Sequence, residues 1–375
     1  MRFKSYKSIS NIMKTNQSKV YAGKEIEHFK KEDMKIIPEV WEDGQRVPLD
    51  KHHFEWWYFD VELDDGSVLV IIFGPKPFFD THFPITPMIA VDYRNPSGKH
   101  LQEFYVERNW KKNYSSSKDK CEVRIKDNYF IGDLKNYKIK AKTKTIEAEI
   151  NLENLSKPWR PGNGILYFNN GKDKEDKYFA WFPSVPYGKV TGTLTINGVK
   201  KQIKGFGYHD HNWGNADPCE IFNHWYWSRS HIGEYILLAC NLVARKEYNY
   251  QEIPYILLLD KTGLLAEDSE KVQVIKKEPI THPKTKKIVY NNLEFKYDDK
   301  KVKFSLELHR KRDLVLQNLI LLNSPHLFFN QLGKNPWYHR FIGESKLTLE
   351  KDGKKEQFNS TVVYELMFYG KNVKK

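Results

Sequence analysis

The dominant period along the chain is two. Ile146, Ala148, Ile150 and Leu152 alternate with Glu147, Glu149 and Asn151, and Val302, Phe304, Leu306 and Leu308 alternate with Lys303, Ser305 and Glu307. Alternation of this kind predicts strands that bury one face. The dipeptides Asp65-Gly66, Asn197-Gly198 and Asp352-Gly353 each separate two apolar runs, the usual sign of a hairpin turn. No long stretch repeats at 3.6 residues with capping signals at both ends, so helix is limited to short turns, expected over residues 314–329. Many strands with glycine-marked turns predict an all-β fold of barrels or sandwiches.

The chain has 375 residues, which favours two domains over one. Residues 1–49 read as an extended, polar lead-in. Aromatic residues concentrate at 52–60, 178–187 and 208–227, and a new series of strands begins after Pro218. The expected organisation is therefore an N-terminal β domain over 50–217 and a C-terminal β-barrel domain over 218–375. No linker-like composition separates them, so they are expected to pack through an extensive interface.

Composition narrows the function classes. Hydrophobic residues make up 40% and charged residues 29%, enough to build a core and too apolar for a disordered chain. No window approaches the roughly 18 consecutive apolar residues of a membrane span. The basic start lacks the apolar core of a signal peptide, so a cytoplasmic location is expected. Cys121, Cys219 and Cys240 are few, scattered and without a CxxC pair, which argues against a disulfide framework. The net charge of +13 raises the question of nucleic acid. The lysines, however, are spread along alternating strands, as at Lys138, Lys140, Lys142 and Lys144, and read as solvated faces. No nucleic-acid partner is expected; a basic surface suits contact with an anionic membrane, where a lipophilic substrate would be stored.

Three segments carry candidate chemistry. In Gly207-Tyr208-His209-Asp210-His211-Asn212-Trp213-Gly214, an extended backbone puts Tyr208, Asp210 and Asn212 on one face and His209, His211 and Trp213 on the other. The first face groups a phenol, a carboxyl and an amide, which fits an acid–base cluster and equally a buried hydrogen-bond network. In Phe54-Glu55-Trp56-Trp57-Tyr58-Phe59-Asp60, the set Glu55, Trp57 and Phe59 alternates with Trp56, Tyr58 and Asp60. Indoles beside a carboxylate suit a greasy ligand that develops positive charge, or simply fill a barrel core. The third segment, Asn223-His224-Trp225-Tyr226-Trp227, is again aromatic and polar in alternation. Together the three could line one deep aromatic pocket for a hydrophobic small molecule. His209-x-His211, with His224 nearby and Asp210 as an oxygen donor, also has the look of a metal site. The spacing is short and common and no second ligand pair accompanies it, so no metal is expected. The sequence contains no GxGxxG, GxxxxGK[ST], GxSxG or HExxH signature.

The run 207–214, together with Glu55-Trp56-Trp57-Tyr58, Trp181-Phe182-Pro183 and Gly188-x-Val190-x-Gly192, resembles the carotenoid hydratase (hydroxyneurosporene synthase) superfamily. That superfamily includes plant-toxin hydratases and the lipocalin-like Diels–Alderases of fungal polyketide pathways. The resemblance implies two lipocalin-like β domains packed together, a pocket at or near their interface, and no organic cofactor. In the hydratase branch a Tyr-x-Asp pair is taken as catalytic, and it falls on Tyr208 and Asp210. A His and a Trp upstream also act there; Trp181 matches the Trp, but Phe179 and Ala180 precede it and no histidine is near.

The reading that follows assigns Asp210, Tyr208 and His209 to catalysis. Glu55, Trp56, Trp57, Trp181, His211, Asn212, Trp213, His224, Trp225 and Trp227 are assigned to substrate binding. The expected reaction is acid-catalysed hydration or cyclisation of a polyene or isoprenoid alkene, without cofactor. Burial would keep Asp210 protonated, and the indoles would stabilise the cation. The alternatives are a pericyclase that folds a linear polyene and a lipocalin-like carrier that performs no chemistry.

Overall fold

The structure, a computed structural model, describes residues 18–77, 81–173, 175–318 and 336–373. The alternating runs are strands. Ile146–Asn154 buries every second side chain, and Lys142 and Lys140 of the neighbouring strand stand on the outer face beside Glu147 and Glu149, at 2.9 and 3.3 Å. Asn197 and Gly198 both hold positive φ, 50° and 82°, as a two-residue hairpin turn of the primed type requires. They join the strands Lys177–Ile196 and Val199–Gly214. Asp352 and Gly353 do the same for Trp337–Lys351 and Lys354–Phe368.

All strand pairing is antiparallel, in two curled sheets. The first runs from His100–Val106 through Met88–Arg94, Val68–Gly74, Phe54–Leu63, Val199–Gly214, Lys177–Ile196, Ile146–Asn154, Asn136–Lys142, Asn128–Gly132 and Glu122–Ile125 to Tyr114–Ser116. The second runs from Gly263–Ala266 through Glu252–Asp260, Tyr235–Ala244, Phe222–Ile232, Lys354–Phe368, Trp337–Lys351, Val302–Asn318 and Ile288–Asp298 to Val272–Thr281. Lys276 of this last strand reaches Glu252 at 2.7 Å, so the second sheet curls back on itself. The fold is all-β, as the period of two predicts. The connection between the sheets is short, and its one-turn helix Pro218–Ile221 contains the proline at which a boundary is expected. Among the described residues no helix is long and apolar enough to cross a membrane.

Two expectations need correction. Residues 18–49 are not merely extended. They contain a strand, Lys19–Ala22, a helix, Ile26–Lys31, and a 3-10 turn, Val40–Asp43, whose last two carboxylates are buried. The reason is charge pairing: Arg160 grips Glu42 with two nitrogens, at 2.6 and 3.1 Å, and also holds the carbonyls of Lys35, Ile36 and Gly162. Within the region expected to form short helical turns, the described part continues the strand Val302–Asn318, and the rest lies outside the described residues.

Three cores result. One lies inside the first sheet around Trp57, Phe59, Ile71 and Val185, and another inside the second around Leu237, Phe295, Leu306 and Phe341. The third is shared between the sheets and joins Phe54, Trp56, Phe168, Phe179, Trp181 and Tyr208 to Phe222, Leu242, Tyr255 and Met367.

Candidate active site

The strand Val199–Gly214 is half-exposed at its start and wholly buried from Gly207 onward, because there one face meets the first core and the other meets the second sheet. Its polar residues therefore divide between two buried environments. The neighbouring strand Lys177–Ile196 carries Pro183 and Pro186, which cannot donate to the ladder, and its pairing with Val199–Gly214 shifts register there. Trp181 lies just before these shifts, opposite Asn212.

On the face toward the second sheet, Tyr208 donates to Asp210 Oδ2 at 2.7 Å, and Trp181 Nε1 donates to the same oxygen at 2.9 Å. Asn212 donates to Oδ1 at 2.7 Å. Trp181 Nε1 also lies 3.1 Å from the Tyr208 hydroxyl. Burial disfavours the Asp210 carboxylate and lifts its pKa to about 6, even though the bonds from Tyr208 and Trp181, the nearby His209 and the bond from Asn212 all pull it down. This cluster opens on a cavity of about 210 Å³ between the sheets. Trp56, Phe179, Trp181, Trp225, Trp227 and Tyr255 supply most of its aromatic wall.

Of the residues assigned from sequence, Asp210, Asn212, Trp56, Trp181, Trp225 and Trp227 line this cavity, and Tyr208 stands immediately behind Asp210. Glu55, Trp57, His209, His211, Trp213 and His224 do not. The strand period sends the first five to the opposite face. There His209 Nε2 meets Asp43 at 3.1 Å and its Nδ1 meets the Tyr58 carbonyl at 2.8 Å. Burial opposes charge on His209, but the Asp43 carboxylate outweighs it and raises the pKa. His211 Nε2 meets Glu55 at 3.0 Å and its ring stacks on Trp57, while the Trp57 indole donates to the Asp43 carbonyl at 2.9 Å. Trp213 packs against His211 among residues of the lead-in. These groups seat the 3-10 turn on the first sheet. His224 stacks on Phe368 in the second sheet, and burial pushes its pKa down to about 3.

Sequence reasoning missed a second polar group in the cavity. Arg340 Nε donates to Glu365 at 3.1 Å, its Nη2 reaches both Glu365 and the Tyr58 hydroxyl, and Tyr338 donates to Glu365 at 2.5 Å. Tyr58 donates to Asp60, which pairs with Arg229 at 2.5 Å. Arg340 and Glu365 sit in alternating strands at positions that read as solvent-facing charges. Among the described residues it is the first sheet, through Tyr58, that meets Arg340 from across the cavity.

Three groups of ligand-type side chains lie close together among the described residues, and none lines the cavity. In Asp43, Cys121 and His209, the imidazole is already held at both nitrogens. In His282, Asp313 and His339, the Thr285 N–H bonds His282 Nδ1, so Nε2 carries the hydrogen and donates it to Asp313 at 2.8 Å, leaving no lone pair for an ion. In the third, His82, Asp217 and Glu220, the histidine is exposed. His209, His211 and His224 do not converge on a common point, because His224 belongs to the other sheet.

The geometry has relatives. A hydroxyneurosporene dehydrogenase of Chlorobaculum tepidum is 24% identical over 213 residues, 47% of this chain and 53% of that protein, so the match spans about half of the relative's length. Among solved structures, CghA superposes with a TM-score of 0.61 at 13% identity, over 96% of this chain and 100% of that one. Kievitone hydratase from Nectria haematococca superposes with a TM-score of 0.55 at 14% identity, over 90% of this chain and 94% of that one. At such identities the likeness is one of fold, a pair of lipocalin-like curled sheets. A family model described as Diels-Alderase-like matches residues 91–319, more than half of the 375. On that match the chain belongs to the Diels-Alderase-like family.

Proposed function

We propose that this protein is an enzyme that protonates an alkene of a hydrophobic polyene or isoprenoid, with Asp210 as the acid and no cofactor. The observation that carries the reading is a carboxyl group with a pKa of about 6, buried in an aromatic cavity and held by three hydrogen-bond donors. Oδ2 accepts two of those bonds, so the acidic proton belongs on Oδ1, beside the Asn212 amide. Transfer of that proton to an alkene carbon leaves the Asp210 carboxylate and a carbocation. The π faces of Trp56, Trp225 and Trp227 attract the cation. Water then adds through oxygen and returns a proton to Asp210, which completes a hydration; attack by a second alkene or internal hydroxyl instead gives a cyclised cation, which becomes neutral by losing a proton to the Asp210 carboxylate. Tyr208 and Trp181 orient the carboxyl.

A second reading, a pericyclase, draws support from the family's description and from the likeness to CghA. There confinement in a reactive conformation lowers the barrier, and no proton moves. Turnover in deuterium oxide separates the two. The acid mechanism places one solvent deuteron on product carbon, and its rate collapses in Asp210→Asn. Product free of deuterium, formed at full rate by Asp210→Asn, would leave the pericyclase.

A further inference from the structure

Beside Asp92 and the paired amides of Gln102 and Gln317, the polar groups of the cavity form two stations, and the proposed proton transfer uses one of them. The second consists of Tyr58, Tyr338, Arg340 and Glu365, drawn from both sheets. The stations are linked by two tyrosines: the Tyr208 and Tyr58 rings meet edge to face, with centroids 6.2 Å apart, while one hydroxyl serves Asp210 and the other receives Arg340. A cavity for a plain hydrocarbon has no use for a guanidinium, whose burial is costly unless every donor is occupied. Here the occupation is incomplete. Arg340 spends Nε and Nη2 on Glu365 and Tyr58, and among the described residues its Nη1 donates to no partner, although the residue is 6% exposed and lines the cavity.

Charge decides what would complete it. Arg340 is matched by Glu365, Arg229 by Asp60, and Arg94 lies 3.8 Å from Asp92, so three cations face three carboxylates at this end. A ligand carboxylate set on Arg340 would sit beside Glu365 and be repelled. An uncharged oxygen would accept the Nη1 hydrogens without that penalty. We infer that the substrate carries an uncharged oxygen function, a hydroxyl or carbonyl, which binds Arg340 while its unsaturated hydrocarbon body lies along the tryptophans toward Asp210. The inference rests on the cavity being the substrate site, and it names the substrate class: an oxygenated polyene or isoprenoid, neither a bare hydrocarbon nor an acid. It also gives Arg340 a role in choosing which double bond reaches Asp210, since the anchored oxygen sets the register of the chain.

The test is binding, read by quenching of the cavity tryptophans at pH 8 with three C15 probes: farnesene, farnesol and farnesoate. Farnesol should bind at least about tenfold more tightly than either of the others, the scale of one hydrogen bond to a charged group. In Arg340→Met the farnesol advantage over farnesene should fall to near parity with farnesene affinity retained. In Glu365→Gln, which keeps the shape and frees the cation, farnesoate should overtake farnesol. Equal affinity of farnesene and farnesol in the unmodified protein overturns the inference, as does an Arg340→Met ratio that stays at ten in a protein with normal circular dichroism. If Arg340→Met fails to fold, the Glu365→Gln reversal decides the matter by itself. Absence of binding by all three probes overturns the cavity reading as well. Asp210→Asn should leave the ratios unchanged, so failure of the proton-transfer chemistry is distinguishable from failure of the anchor.

Discussion

Asp210 is held in a balance that pH can tip. Its carboxyl has a pKa of about 6 in the folded protein, against about 3.9 for an unperturbed Asp, because burial outweighs three hydrogen bonds. On the proposed mechanism the acid form is the active one, so kcat/KM should fall about tenfold per pH unit above pH 6, and a pH–rate profile checks this. In Asp210→Asn the loss at pH 6 should be on the order of 10²–10⁴-fold, the worth of general acid catalysis. Stability moves with the same proton. Between about pH 4 and pH 6 the folded protein binds more protons at this site than the unfolded chain, so this group's contribution to stability falls as pH rises through that window. The loss is on the order of 3 kcal/mol and levels off above pH 6. Denaturant titrations of the unmodified protein and of Asp210→Asn should therefore converge toward pH 4 and diverge by pH 7, with the variant the more stable. Adjacent tryptophans should part company too. Trp57→Ala opens the first core and strips a bond from the Asp43 carbonyl, which costs about 3–5 kcal/mol in chemical denaturation. Trp56→Ala enlarges the cavity and should act chiefly on ligand affinity, as titration with farnesol would read.

At the scale of elements, the lead-in is fastened by buried charge as well as by the apolar contacts of Phe29, Met34 and Val47. The 3-10 turn Val40–Asp43 places Glu42 against Arg160 and Asp43 against His209 and Tyr137, the last at 2.6 Å. Glu42→Gln leaves the Arg160 guanidinium buried with only carbonyl oxygens and a neutral amide around it. Breaking a buried pair in this way costs about 3–5 kcal/mol, so the melting temperature should drop by several degrees. Limited proteolysis should then cut within the first 50 residues before anywhere else. An unchanged cleavage pattern would show that other contacts fasten this segment.

For the molecule as a whole, the shared core makes the two sheets one cooperative body. Phe168 of the first sheet meets Phe222 and Tyr248 edge to face, with centroids 5.2 Å away in each case. The Gln251 side-chain amide accepts from the Val20 N–H and donates to the Val20 carbonyl, and Arg229, Arg340 and Gln317 each bond across the same divide. Calorimetry should thus give a single transition, and Phe168→Ala should lower it as one peak by an amount near 3–5 kcal/mol. Two separated peaks in the variant would mean that the sheets unfold independently.

The sequence alone determined what depends on neighbours along the chain. A period of two can only satisfy a strand with one buried face, and Asn197-Gly198 can only satisfy a turn that needs positive φ twice, so the all-β fold was legible. The same period paired Tyr208 with Asp210 and Asn212 and separated them from His209 and His211. It could not say which of those two faces met a ligand. Both are fully buried and both are polar, and on sequence grounds Glu55, Trp57 and His211 had as good a claim as Trp56 and Trp227. Nor could it distinguish Arg340 and Glu365 from ordinary outward charges, because burial of an outward face depends on a second sheet more than a hundred residues away in sequence. Tertiary packing made that choice. By laying one sheet on the other it turned two surfaces into the walls of a cavity, removed Asp210 from water and left one side of a guanidinium facing the space between them.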